Sequence, residues 1–194
     1  GKILSYTDIV AIKRQQKKRN IVLILDTSGS MFGKLLMNAA LTTSVLSYAM
    51  SKDYTSVVLF AQDAYVLKNI EDESNVTRLI DMILESEAIG FTNISSGLRK
   101  ALEQLNKVKG KGGRKSYGIL ISDGDYNRGI NPASIAKLFP RLDVIGMPPE
   151  EVKDKFLRGQ EVCKDIAKKG RGSYYPVKRF EEIPRVLMQL LSKY

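Results

Sequence analysis

The chain has 194 residues, 43% hydrophobic and 27% charged, with a formal net charge of +10, one cysteine and no histidine. That length holds one α/β domain with a real core rather than two. The missing histidine excludes Ser-His-Asp and Cys-His catalysis and every His-ligated zinc or haem site, the single thiol excludes an intrachain disulfide, and no apolar run approaches the roughly 18 residues of a membrane span.

The opening GKILSYTDIV has neither a methionine nor a charged-then-apolar signal pattern. A segment of a longer cytoplasmic protein is therefore expected. Residues 1–19 form a basic leader ending in IKRQQKKR, and residues 20–194 form the domain. Ile21–Leu25 is a continuous apolar run rich in β-branched residues, which predicts a central parallel strand. Residues 34–50 are apolar on most faces and predict a well-buried helix. TSVVLF (55–60) and AYVLKNI (64–70) read as two strands joined by Gln62-Asp63, a connection so short that the pair must be antiparallel, with the second at an edge. An amphipathic helix follows over 74–84 with Ser74 as its cap. Residues 90–94 form a loop and the next helix runs to about Leu105. YGILIS (117–122) is a fourth strand, NPASIAKLF (131–139) a helix with Pro132 in its first turn, and LDVIGM (142–147) a fifth strand. A long helix over about 150–169 is expected to bury Cys163 as a structural thiol. SYYPV (173–177) is a sixth strand and residues 180–194 are a closing helix.

Strands alternating with helices imply right-handed crossovers and a mostly parallel sheet covered on both faces. Ligands of such sheets bind beyond the carboxyl ends of the strands. The segments there are Asp26-Thr27-Ser28-Gly29-Ser30 after strand one and SDGDYNRG, with Asp123 and Asp125, after strand four; the loop carrying Thr92 can reach the same rim. Any one of these alone is an ordinary helix cap or turn. Together they offer carboxylates and hydroxyls and no soft ligand, a set that suits a small divalent cation, Mg²⁺ or Mn²⁺, with about six oxygens. Ser28, Ser30 and Thr92 could bind directly, Asp26 and Asp123 directly or through water, leaving one position open. Gly29 lets the two serines turn towards one point.

DTSGSM, with GFTN and SDGD downstream, resembles the metal-ion-dependent adhesion site (MIDAS) of von Willebrand factor type A (VWA) domains, and the likeness extends over about residues 20–192. The resemblance implies a Rossmann-like three-layer sandwich: a six-stranded sheet ordered 3-2-1-4-5-6, one antiparallel edge strand, helices on both faces. It gives Asp26, Ser28, Ser30, Thr92 and Asp123 the five metal-site roles, with Asp125 an extra carboxylate that the motif does not require. It implies Mg²⁺ completed by an Asp or Glu of a protein partner. The leader resembles the intracellular bacterial and archaeal branch, which includes the magnesium chelatase D subunit and domains paired with MoxR-type AAA+ ATPases, so such an ATPase is one expected partner.

Lysines and arginines gather before strands one (Lys13 to Arg19), four (Lys107 to Lys115) and six (Lys168 to Arg171). Segments preceding parallel strands lie on the amino-terminal rim, so a basic underside is expected opposite the metal site. It could serve acidic partners or, as a lesser alternative, nucleic acid; no membrane contact is expected. The leading function is a non-catalytic, metal-dependent protein-binding module. The alternatives are a Mg²⁺-dependent phosphatase of haloacid-dehalogenase type, which Ser28 at the place of a second aspartate disfavours, and a metal-independent scaffold working through the basic face.

Overall fold

The computed structural model describes residues 18–29, 51, 53–73, 81, 90–147 and 153–194, and the side chains of all these except 153–157. Ser30, the leader before Lys18 and nearly all of the expected helices at 34–50 and 74–84 lie outside the described residues.

Six strands, β1 (Asn20–Asp26), β2 (Tyr54–Phe60), β3 (Ala64–Lys68), β4 (Ser116–Ser122), β5 (Leu142–Gly146) and β6 (Arg171–Pro176), form one sheet in the order β3-β2-β1-β4-β5-β6. The β2–β3 pair is antiparallel and the other four pairs are parallel. The antiparallel step follows from the three-residue turn at Ala61, where Ala61 N donates to the Asp63 carbonyl at 3.0 Å. This is the expected Rossmann-like VWA architecture.

β1 is buried along its whole length and is flanked by β2 and β4. Its alternation sorts the core into two layers. Ile21, Leu23 and Leu25 join Val57, Ile119 and Ile145 under the closing helix α4 (Ile183–Lys193), which contributes Ile183, Val186, Leu187, Leu190 and Leu191. Val22 and Ile24 face the opposite layer, with Phe60, Leu120 and Val144. There α1 (Ile94–Lys107) brings Ile94, Leu98, Ala101 and Leu105, one stripe at helical spacing. The short α2 (Ala133–Ala136) brings Ile135, and α3 (Lys153–Lys169) brings Cys163, Ile166 and Ala167.

The helix expected over 131–139 closes after Ala136. Leu138 N and Phe139 N bond carbonyls only three residues back, at 3.0 Å each, and Pro140 blocks continuation. The tight turn buries Phe139 and leaves Leu138 60% exposed. β6 starts two residues earlier than expected, at Arg171, whose φ of +57° is held while its guanidinium donates to the Lys137 carbonyl.

At the amino-terminal end of the sheet, Tyr194 ties α4 down. Its ring stacks on Tyr117 with centroids 4.0 Å apart, and its hydroxyl donates to Asp143. Asp143 is fully buried and also accepts from Arg141 Nε at 3.0 Å and Ser173 N at 2.7 Å. Burial first, and the bond to Asp143 second, push the Tyr194 phenol far up. Tyr194→Phe removes one hydrogen bond to a charged acceptor and keeps the stack; we expect a loss of about 1.5–3 kcal/mol in urea unfolding, and an unchanged midpoint would show that bond to be dispensable.

Candidate metal centre

β1 ends in Asp26, the residue that carries its alternation from Val22 and Ile24 into the α1/α3 layer. Asp26 is fully buried, whereas a place on the rim outside the core is what a strand-terminal aspartate suggests. Ser28 turns back on it: the Ser28 amide and hydroxyl both donate to Oδ1, at 3.0 and 2.5 Å. Ser122, the last residue of β4, donates its hydroxyl to Oδ2 at 2.6 Å. Among the described residues no lysine or arginine pairs with this carboxylate. Burial, and then the charge of Asp123, raise its pKa to about 7 despite the serine hydrogen bonds. The ionised form of a buried carboxyl group is thus disfavoured with only hydroxyl and amide donors around it, a penalty that a bound cation would relieve.

Asp123 follows β4 directly and starts a loop with a left-handed Gly124 (φ +78°). The Asp125 amide donates to Asp123 Oδ1 at 2.9 Å. Asp125 itself is exposed. Gly124 lies flat on Gly159 of α3: a Cβ on Gly124 would fall 2.2 Å from the Gly159 carbonyl oxygen, and one on Gly159 would fall 2.3 Å from the Asp123 carbonyl oxygen. Two glycines on separate elements therefore let the loop seat against the helix.

The same loop grips Thr92. The Thr92 amide donates to Asn127 Oδ1 at 3.0 Å, and the Thr92 carbonyl accepts from the amides of Asn127 and Arg128, each at 3.1 Å. Gly129 (φ +83°) passes so close to the Asn93 cap of α1 that a Cβ would lie 2.1 Å from Asn93 Oδ1. On the other side, Asn93 N donates to the Ala61 carbonyl and Thr27 N to the Phe60 carbonyl, both at 2.8 Å, so the Thr92 loop and the Asp26 loop both hang on the end of β2. The structure thus joins Asp26 with Ser28, sets Asp123 within electrostatic reach of Asp26, and ties Thr92 to the loop that begins at Asp123. Thr92 and Ser28 are buried.

The residues fit a hard cation. Among the described residues no three His, Cys, Asp or Glu side chains gather as a metal cluster. What the structure sets together is the Asp26 carboxylate with the Ser28 and Ser122 hydroxyls on it, and Asp123 within electrostatic reach, a donor set that would suit an oxygen-coordinated ion and no soft one. Ser122, Asn127 and Gly159 have none of the five metal-site roles that the sequence resemblance assigns. Ser122 was findable, as a polar residue ending an otherwise apolar strand; Asn127 and Gly159 are legible only through contacts across the fold. Cys163 is buried beneath the site, its thiol 3.7 Å from the Ser122 carbonyl and pushed far up in pKa by burial, then by the charges of Asp123 and Asp26, so it is an inert core residue.

The family model of the von Willebrand factor type A domain matches residues 21–125, from the second residue of β1 to Asp125. The chain belongs to the von Willebrand factor type A domain family. This VWA domain is 26% identical to the uncharacterized protein YfbK of Escherichia coli (strain K12), in an alignment that takes in 93% of the chain and 32% of that protein; it thus spans about a third of that relative. An aerotolerance-related membrane protein from Bacteroides fragilis shares the fold with a TM-score of 0.66 at 22% identity, over 91% of this chain and all of that one. Proximal thread matrix protein 1 of the mussel byssus, solved with a zinc-occupied MIDAS motif, matches with a TM-score of 0.65 at 18% identity, over 90% of this chain and 47% of that one.

Asn127 offers a test of how Thr92 is placed in the VWA domain. Asn127→Ala deletes the acceptor of the Thr92 amide and is expected to weaken Mn²⁺ binding in calorimetry about fivefold, one lost hydrogen bond being worth about 1 kcal/mol. Asn127→Asp keeps the acceptor and should restore affinity. Equal affinities for the wild type and Asn127→Ala would show that the clamp does not position Thr92.

Proposed function

We propose that this VWA domain is a metal-dependent protein-interaction module. Asp26, Ser28, Ser30, Thr92 and Asp123 would hold a divalent cation, Mg²⁺ or Mn²⁺, whose remaining position accepts an Asp or Glu carboxylate of a partner protein. The observation that carries this reading is the fully buried Asp26 carboxylate, which has hydroxyl and amide donors but no cationic partner among the described residues. Hydroxyl ligands leave most of the ion's charge uncompensated, so it attracts an incoming carboxylate. VWA domains bind protein ligands, and the mussel structure with zinc in its MIDAS motif supports a divalent ion at this place in the fold. The narrower expectation of a MoxR-type or chelatase ATPase rests on the leader segment alone, so the proposal stands at the level of the carboxylate.

The test is calorimetric titration of Mg²⁺, Mn²⁺ and Zn²⁺ into chelator-stripped protein, with Asp26→Asn alongside. Saturable one-site binding lost in the variant is expected. Absence of binding at millimolar metal, or equal binding by the variant, overturns the assignment. A phosphatase reading needs a second carboxylate at Ser28 as acid and base. The hydroxyl that stands there is bound to Asp26, and no turnover of p-nitrophenyl phosphate is expected.

A further inference from the structure

The end of the sheet opposite Asp26 has its own chemistry. Parallel strands β1, β4, β5 and β6 all start there, as does the carboxyl end of α3. Three carboxylates of this rim are already engaged. Asp53 accepts from the Arg19 amide at 2.9 Å and from its guanidinium at 2.8 Å, Asp143 holds Arg141 and Tyr194, and Glu71 pairs with Lys111 at 2.6 Å. Lys109, Lys115, Lys137, Lys168 and Lys169 are exposed and have no carboxylate partner among the described residues. The excess positive charge is therefore unneutralised from β4 to β6.

Three features narrow what this surface fits. First, its uncommitted cations are lysines: Arg19 and Arg141 are held by aspartates, Arg114 lies over the Tyr54 ring at 4.1 Å, and Arg171 bonds the Lys137 carbonyl. Three of these four guanidinium forks are already hydrogen-bonded to the chain's own oxygens, and the fourth, Arg114, is stacked on a ring. Second, two of its aromatic rings are in contact with the chain's own groups: Tyr54 with Lys18 and Arg114, and Tyr194 with Tyr117. An unpaired base stacking on either would have to compete with these contacts. Third, Leu138 projects between Lys137 and Arg141 with 60% of its surface exposed, an apolar contact set among cations.

We propose that this rim is a second interaction surface, for an extended acidic polypeptide segment that carries an apolar side chain. Its glutamates or aspartates meet Lys109, Lys115, Lys168 and Lys169, and its apolar residue covers Leu138. Across the three strand spacings from β1 to β6 the face is about 15 Å wide, the span of four to five extended residues. The surface acts without metal, so it stands or falls separately from the site at Asp26. A second copy presenting the same rim would be repelled, as would the chain's own basic leader.

The probe is a fluorescein-labelled peptide of alternating Glu and Leu, titrated in EDTA by anisotropy, beside an all-Glu peptide, oligo-dT and phosphatidylserine vesicles. The Glu/Leu peptide is expected to bind, to weaken at least tenfold between 50 and 300 mM salt, and to weaken at least tenfold in Lys168→Glu/Lys169→Glu. Leu138→Ser should remove its advantage over the all-Glu peptide. These lysines and Leu138 are exposed, so the variants should keep the wild-type circular dichroism. The proposal is overturned if the peptide fails to bind, if binding ignores the charge reversal, or if oligo-dT or vesicles bind while the peptides do not.

Discussion

Asp26→Asn is expected to make the metal-free protein more stable at pH 7.5 while abolishing metal binding. The wild-type carboxylate is fully buried without a counter-charge among the described residues, and its pKa stands at about 7 against an ordinary value of 3.8. A raised carboxyl pKa means that the native state is penalised once the group ionises. The penalty is absent below about pH 4, grows as pH rises through the folded pKa near 7, and is complete above it. The shift corresponds to about 4 kcal/mol as an upper limit. Asparagine keeps an oxygen for the Ser28 amide and can donate to a rotated serine hydroxyl, so most of the gain should survive. A rise in Tm of roughly 5–10 °C in EDTA follows for a domain of this size. The difference should shrink as pH falls towards 4. Saturating Mn²⁺ should stabilise only the wild type and narrow or reverse the gap. A variant that melts below the wild type in EDTA at pH 7.5 would show that the buried charge is compensated, and would remove the main support for a cation there.

The second large effect is expected at the glycine contact between the Asp123 loop and α3. Gly124→Ala puts a Cβ into the Gly159 carbonyl at 2.2 Å, and its φ of +78° disfavours any L side chain. Backbone meets backbone here, so no side chain can step aside. Together the left-handed conformation and the overpacking should cost about 2–5 kcal/mol. The loop that must move carries Asp123, so metal affinity should fall along with stability. Gly159→Ala approaches the same contact from the helix, where alanine is intrinsically favoured. Any loss of stability there is due to the clash, and it should weaken metal binding through the Asp123 carbonyl. Gly159→Ala with wild-type melting and wild-type metal affinity would show that the loop can lift off α3 without consequence.

The sheet was legible because each strand is short, apolar and bounded by turn residues, and because the Ala61–Asp63 connection admits only an antiparallel pair. Helix ends were less so. Nothing local in NPASIAKLF signals that the backbone tightens after Ala136 to bury Phe139; that is decided by the β5 side of the core. The metal-site motif was readable as a spacing of oxygen-bearing residues, but its energetics were not. Whether Asp26 points to solvent or into the α1/α3 layer depends on the parity of β1, and the donation from Ser122 depends on register with β4. Asn127 looks like a turn residue in sequence and acts on Thr92, thirty-five positions earlier. The basic rim was visible as three clusters. Which of its lysines stay uncommitted depended on where Asp53, Asp143 and Glu71 fell.

β1 has a mechanical consequence. Its seven residues run through the centre of the sheet, hydrogen-bonded in register to β2 on one side and β4 on the other, over roughly 20 Å. The chain enters at Arg19 and the strand ends at Asp26, so tension applied between those two ends acts along the strand axis. The covalent backbone of β1 itself then carries the load, and the ladders to β2 and β4 are sheared only when the pull on β1 is resisted by a neighbouring strand. Force passing from a ligand at Asp26 to the entering backbone would therefore run along a strand that is already extended, and would bypass the hydrogen bonds that hold the sheet together.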